Sequence, residues 1–289
     1  MKEIVKEKIA SLLSTDEDIL SVEQLGGMTN QNYLVKTSSN QYIVKFFGKG
    51  TDKLIDRQNE KFNLELLKDL KLDVENYLFD IEAGIKVNQY IENAETLDST
   101  TIKTKFEKIS PILQTIHASG KELKGEFAPF EEIKKYESLI QGEISYPNYE
   151  VVRKSVFSLK DQLEEIGMDK KSCHIDLVPE NFIEGPDGHL YLIDWEYSSM
   201  NDPMWDLAAL FLESEFTSAE EEDFLSHYES DKTPVSRDKI RIYKILQDII
   251  WSLWTIYKEE NGADFGDYGI SRYNRAMNEL NYKGGTYEN

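Results

Sequence analysis

The apolar residues of this chain follow two rhythms. Over residues 19–25, 33–37 and 41–47 they come in short strand-like runs, and Ser38, Ser39 and Asn40 supply the turn between the last two. Further runs over 77–81 and 85–90 predict a second hairpin around Glu82, Ala83 and Gly84. A helix is predicted over 2–13, where Ile4, Val5, Ile9, Leu12 and Leu13 share one side, and another from about 52 to 70. Beyond residue 91 helical spacing dominates, over 100–119, 130–141, 148–166, 201–216 and 238–260. One short apolar strand, 190–193, interrupts it after a turn of Gly185, Pro186, Asp187 and Gly188. The change of rhythm predicts an α+β chain with its domain break near 91: a strand-rich part over 1–91, a helical part over 92–289, and a crossover at 88–92.

The segment 238–260 has an irregular pattern. At about 100° per residue, Ile242, Ile245, Ile249, Ile250, Leu253 and Ile256 fall within about 70° of a common core direction. Trp251 and Trp254 fall together on another side, among Lys244, Gln247 and Lys258. Either a second layer packs on that side or the two indoles wall a pocket. Indole faces attract quaternary ammonium groups, by about 0.5 to 2 kcal/mol depending on desolvation.

Composition narrows the function classes. The chain is 40% hydrophobic, with 13 Phe, 16 Tyr and 4 Trp, enough for a sizeable core. Its formal net charge of −21 argues against a nucleic-acid face, which needs clustered Lys and Arg. The acidity serves solubility, or it favours a cationic small substrate. The one cysteine, Cys173, excludes an intramolecular disulfide. The residues from Met1 to Lys6 lack the apolar stretch of a signal peptide, and no run of 18 apolar residues occurs, so a soluble cytoplasmic protein is expected.

Candidate chemistry gathers between residues 173 and 196. Asp176 is followed five residues later by Asn181 and eighteen residues later by Asp194. A carboxylate that receives a hydroxyl proton, with two oxygen ligands for Mg²⁺, is what phosphoryl transfer requires. Earlier in the chain, Gly26 and Gly27 open a loop whose Thr29, Asn30 and Asn32 offer donors to phosphates. Lys45 lies in an apolar strand and must reach solvent or an anion. Glu60 is a plausible partner for it, with Arg57, Asp56 and Glu65 nearby as competitors for that role or as plain surface charges. His117 reads as a helix-end or packed histidine. Asp202 suits a helix N-cap before Pro203, and Asp206 either braces the loop at 174–176 or stabilises the helix start.

These residues resemble a known family. The loop Gly26-Gly27-Met28-Thr29-Asn30-Gln31-Asn32-Tyr33, the strand lysine Lys45, the motif His174-x-Asp176 followed by Asn181, the run Ile193-Asp194-Trp195-Glu196-Tyr197 and the pair Trp251, Trp254 together resemble the choline/ethanolamine kinases, most closely the bacterial choline kinases of the Lic type. The resemblance runs over essentially the whole chain. The His-x-Asp and Asn motif alone is shared with aminoglycoside phosphotransferases and protein kinases; the Asp-aromatic-Glu-Tyr run and the paired tryptophans point to choline.

The resemblance implies a two-lobed protein-kinase-like fold, with an antiparallel sheet in a nucleotide-binding lobe (1–91, hinge at about 88–92) and a mostly helical catalytic lobe (92–289). It implies ATP and choline as substrates and Mg²⁺ as cofactor. Asp176 would be the base that takes the choline hydroxyl proton. Asn181 and Asp194 would hold Mg²⁺. Gly27, Thr29, Asn30, Asn32, Lys45 paired with Glu60, and Gln89, Tyr90 and Ile91 at the adenine would bind ATP. Asp176, Glu196, Tyr197, Trp251 and Trp254 would receive choline. Ile175 stands where protein kinases carry Arg, which argues against control by a phosphorylated loop. Trp195 and Glu196 replace the Phe-Gly that follows the metal-binding Asp there. Other readings are a kinase for ethanolamine, an aminoglycoside or another small amino alcohol, and a choline-binding module without turnover. The joint presence of Lys45, Asp176, Asn181 and Asp194 argues against the last.

Overall fold

A computed structural model describes residues 18–27, 30–48 and 50–281. The helix expected over 2–13, and Thr29 of the glycine loop, lie outside the described residues. The chain divides into two compact units. One comprises the chain up to Thr96 together with Asn181–Glu196; the other comprises Leu97–Glu180 and the chain from Tyr197 onward. The hairpin carrying Asn181 and Asp194 therefore belongs to the first unit, a return of the chain that a linear division at 91 does not contain.

The first unit is built on an antiparallel sheet. Its strands are β1 (Ile19–Gln24), β2 (Gln31–Thr37), β3 (Gln41–Phe46), β4 (Asn76–Asp80) and β5 (Ile85–Gln89), in the order β1-β2-β3-β5-β4. Alternation puts Val22, Tyr33, Val35, Val44, Ile85 and Val87 into one cluster. The register pairs Lys45 directly with Lys86. Helix α1 (Arg57–Leu67) follows β3. It starts five residues later than the pattern suggested, because Asp56 caps it by accepting from Gln58 N and Asn59 N at 3.0 and 3.1 Å. Short strands Phe182–Glu184 and Leu190–Leu192 form the expected hairpin, closed by Gly188 N donating to Gly185 O, and Glu95–Thr96 pairs beside it.

The second unit is mostly helical: α2 (Phe106–His117), α3 (Pro129–Leu139), α4 (Tyr149–Phe157), α5 (Leu159–Ile166), α6 (Pro203–Glu213), α7 (Ser218–Tyr228), α8 (Arg237–Glu260) and α9 (Tyr268–Asn281). The helix expected over 148–166 is two, broken at Ser158. Strands Lys171–Cys173 and Ser199–Asn201 pair within it. Helix α8 packs against α3, α6 and α9, so several of its polar residues, Gln247 and Asp248 among them, are buried too. Gln247 Nε2 donates to Trp205 O at 2.9 Å, and Arg275 clasps Asp248 through two bonds of 2.6 and 2.7 Å. Among the described residues, no helix is long and apolar enough to cross a membrane.

Candidate active site

In the first unit the glycine loop is held by its own side chains. A Cβ on Gly27 would lie 2.6 Å from Asn30 O and 2.7 Å from Asn32 Nδ2, so only glycine fits. Asn32 Nδ2 donates to Gly26 O at 2.9 Å, and Leu25 N to Asn32 O at 2.8 Å. Asn30 is buried and ties the loop outward. Its Nδ2 donates to Glu196 Oε2 at 2.7 Å, and its Oδ1 accepts from Gly48 N at 3.2 Å and Arg57 Nη2 at 3.1 Å.

Behind the loop lies a buried charge cluster. Lys45 donates to Asp194 Oδ1 at 2.6 Å. The expected Lys45–Glu60 pair does not form. Glu60 instead accepts from Arg57 Nη1 at 2.7 Å and Lys86 Nζ at 3.1 Å, and it acts on Lys45 only through space. The reason is the register: Lys45 and Lys86 share one face of the sheet, and two buried ammonium groups need separate carboxylates. Burial alone would lower the Lys45 pKa; Asp194 and then Glu196 outweigh it and raise it. Burial pushes the Asp73 carboxyl up to about 7, against the pull of Lys86 and of the Val74 N–H. The Asp194 backbone is left-handed, with φ 67°, a strained setting for a residue other than glycine. Asn181 is buried one strand away, its carbonyl accepting from Ile193 N at 2.8 Å.

Glu196 also belongs to this cluster. The expected place for it was beside a substrate ammonium. Its buried carboxylate accepts from Arg57 Nη1 at 2.9 Å and from Asn30, since a carboxylate removed from water needs donors and these two supply them. Burial, then Asp194, raise its pKa. At the end of β5, Gln89, Tyr90 and Ile91 are half-buried. The Gln89 N–H is committed to Glu75 O at 2.8 Å.

In the second unit, the loop bearing Asp176 is braced from behind. Asp206 accepts from His174 N and Ile175 N, both at 2.8 Å, and contacts His117 Nε2 at 3.0 Å. His117 Nδ1 meets the Tyr228 hydroxyl at 2.7 Å, and Trp205 Nε1 donates to Ile175 O at 3.0 Å. The loop needs this brace. Ile175 has φ 78°, a setting that costs a β-branched residue about 1–3 kcal/mol. Asp206→Asn is expected to cost about 3 kcal/mol of stability, because one of the two charge-assisted backbone bonds is lost and the other becomes neutral at a buried site. It should also lower turnover; urea unfolding and a rate measurement together check this.

The tryptophans gather aromatic neighbours. Trp251 and Trp254 are 8% and 5% exposed, their rings edge-to-face at 6.4 Å. Tyr197 meets Trp251 at 5.7 Å, and Phe265 meets Trp254 at 5.0 Å. Tyr136, which the sequence did not single out, joins this group. Its phenol is pushed up by burial and by Glu132, the neighbouring Tyr197 opposes this, and the Asp176 charge adds to it. Tyr268 likewise feels Asp176 after burial and Arg272. The Asp176 charge thus acts on Tyr136, the neighbour of Tyr197, and on Tyr268.

A strand-borne lysine bonded to a carboxylate and a glycine loop in the first unit, and a braced Asp loop in the second, are parts that kinase-type phosphotransferases use. The profile of the choline/ethanolamine kinase family matches residues 22–277, and the chain belongs to that family. It is 77% identical to the choline kinase LicA from Streptococcus pneumoniae in its crystal structure, over 97% of this chain and 98% of that one, with a TM-score of 0.93. A structure of LicA in complex with AMP aligns at 78% identity and a TM-score of 0.92, over the same shares. Protein LicA of Haemophilus influenzae is 32% identical, over 89% of this chain and 78% of that protein. The α+β, kinase-like fold expected from the sequence is the one found.

Proposed function

We propose that this chain transfers the γ-phosphate of ATP to the hydroxyl of choline, giving phosphocholine and ADP, in the cytoplasm where ATP is made. The observation that carries the choline assignment is the aromatic group of Tyr136, Tyr197, Trp251 and Trp254 coupled to Asp176 in one compact unit. The 77% identity to a choline kinase supports the same substrate.

Asp176 accepts the hydroxyl proton as the oxygen attacks phosphorus. The aromatic faces of Tyr197, Trp251 and Trp254 receive the trimethylammonium group. In the nucleotide-binding part, up to about residue 91, the glycine loop with Gly27, Thr29, Asn30 and Asn32 covers the phosphates. Lys45 neutralises them. The chain at Gln89, Tyr90 and Ile91 takes the adenine through the Tyr90 and Ile91 backbone, as the Gln89 N–H is already bonded. Asn181 and Asp194 supply oxygen donors of the kind Mg²⁺ requires, and the Asp194 carboxylate is partly accessible and oriented by its bond from Lys45. When bound, Mg²⁺ neutralises phosphate charge. Glu196 bonds Arg57 and Asn30 and serves the nucleotide part.

An ADP-release assay with ATP and Mg²⁺ tests this. Choline should be used with a kcat/KM about tenfold above that of ethanolamine, in line with cation–π attraction of about 0.5–2 kcal/mol for a desolvated quaternary ammonium. Equal use of both, or no ADP release with choline, would sink the assignment.

A further inference from the structure

In a kinase of ordinary build, the strand lysine and a helix glutamate pair, and that pair couples the helix to the nucleotide phosphates. Here Lys86 and Arg57 occupy both oxygens of Glu60. We infer that Arg57, and not a Lys45–Glu60 pair, couples helix α1 to the phosphate loop and to the segment bearing Asp194, which makes Arg57 a positioning residue for the nucleotide. This rests on the nucleotide assignment above.

The geometry is that of a four-way joint. Arg57 Nη1 is shared between Glu60 on its own helix and Glu196, two residues beyond Asp194. Nη2 donates to Asn30 Oδ1 in the glycine loop, with Thr51 Oγ1 at 3.5 Å. The Phe47 ring lies under the guanidinium at 4.0 Å from its centroid. A planar fork stacked on an aromatic ring holds several acceptors in one plane; an ammonium at the same place holds them only as a point charge. Lys86 holds the other oxygen of Glu60. Lys45 bonds Asp194 and makes no hydrogen bond to α1.

Double-mutant cycles read on the affinity for ADP, by calorimetry, test the inference. Arg57→Met and Arg57→Lys should each weaken ADP about tenfold while leaving the KM for choline within about twofold, and lysine should not rescue because it lacks the fork. Arg57→Met with Glu60→Gln, and Arg57→Met with Glu196→Gln, should couple by about fivefold or more; Lys45→Met with Glu60→Gln should couple by less than about twofold. Lys86→Met removes an equally buried cation from the same carboxylate and controls for general loosening; its ADP affinity should stay within about twofold of the parent. Coupling of Lys45 to Glu60 as strong as that of Arg57, an equal loss in Lys86→Met, or rescue by Arg57→Lys would overturn the inference. If Arg57→Met does not fold, Arg57→Lys carries the same cycles. ADP affinity does not depend on the acceptor, so a chain that binds ADP but ignores choline would refute the proposed substrate and leave this test intact.

Discussion

Asp176→Asn should lower kcat for choline phosphorylation by about 10²- to 10⁴-fold, the usual contribution of a positioned general base. Nucleotide affinity should stay within about twofold. Asparagine has the same shape and can still accept a hydrogen bond from the choline hydroxyl, but it cannot take the proton. The loop itself should survive the exchange. Its backbone is fixed by Asp206 at His174 N and Ile175 N and by Trp205 at Ile175 O, and none of these bonds involves the Asp176 side chain. The assigned ATP contacts are bonded within the first unit, Lys45 to Asp194 and Asn30 to Glu196, Arg57 and Gly48. Choline turnover under saturating ATP, with ADP calorimetry on the same sample, checks both halves. Turnover close to the parent enzyme would remove Asp176 from the role of base; a parallel loss of ADP affinity would mean that the substitution had disturbed the fold.

Much of the fold was legible because its periodicities are local. The strand rhythm up to residue 91 became β1 to β5, and the long apolar stripe of 238–260 became α8 within one residue. Asp202 is the N-cap expected of it, accepting from Met204 N at 3.0 Å. His117 is the packed histidine expected, and of the two roles open to Asp206 it takes the brace. Charge pairing was less legible. Which carboxylate a buried lysine takes depends on strand register, and register is a non-local fact. The signal existed: Ile85 and Val87 alternate into the core, which turns Lys86 to the other face, where Lys45 stands opposite. Setting the two hairpins against each other would have shown two lysines competing for Glu60. The partners of Glu196 were hidden for a related reason. Adjacent residues in a short helical turn point in different directions, so Glu196 and Tyr197 serve different neighbours although they adjoin in sequence. Tyr136 carried no signal, being one aromatic on an ordinary amphipathic helix.

Replacing Trp251 or Trp254 should raise the KM for choline about 5- to 30-fold and leave the KM for ATP within about twofold. The magnitude follows from cation–π attraction of about 0.5–2 kcal/mol per ring, at its upper end where the cation is desolvated. Alanine is a blunt probe here. Both rings are nearly fully buried, Trp251 against Phe127 and Tyr197 and Trp254 against Phe265, so truncation costs about 3–5 kcal/mol of stability as well. Leucine keeps much of the volume and removes the π face, and Trp251→Leu and Trp254→Leu are therefore the sharper variants. A neutral isostere of choline, with a tert-butyl group in place of the trimethylammonium, separates packing from charge recognition. If the indoles act through their faces, the leucine variants weaken choline and leave inhibition by the isostere nearly unchanged. If they act as packing, both ligands weaken together, and the KM for ATP rises with them as the unit loosens. Lys258 sets a bound on the outcome at Trp254. Its ammonium lies 5.8 Å from the ring centroid, so part of the π surface of Trp254 already answers to a cation of the chain itself. The larger effect is accordingly expected at Trp251, whose ring also meets Tyr197, the residue that links the aromatic group to Tyr136 and the Asp176 charge.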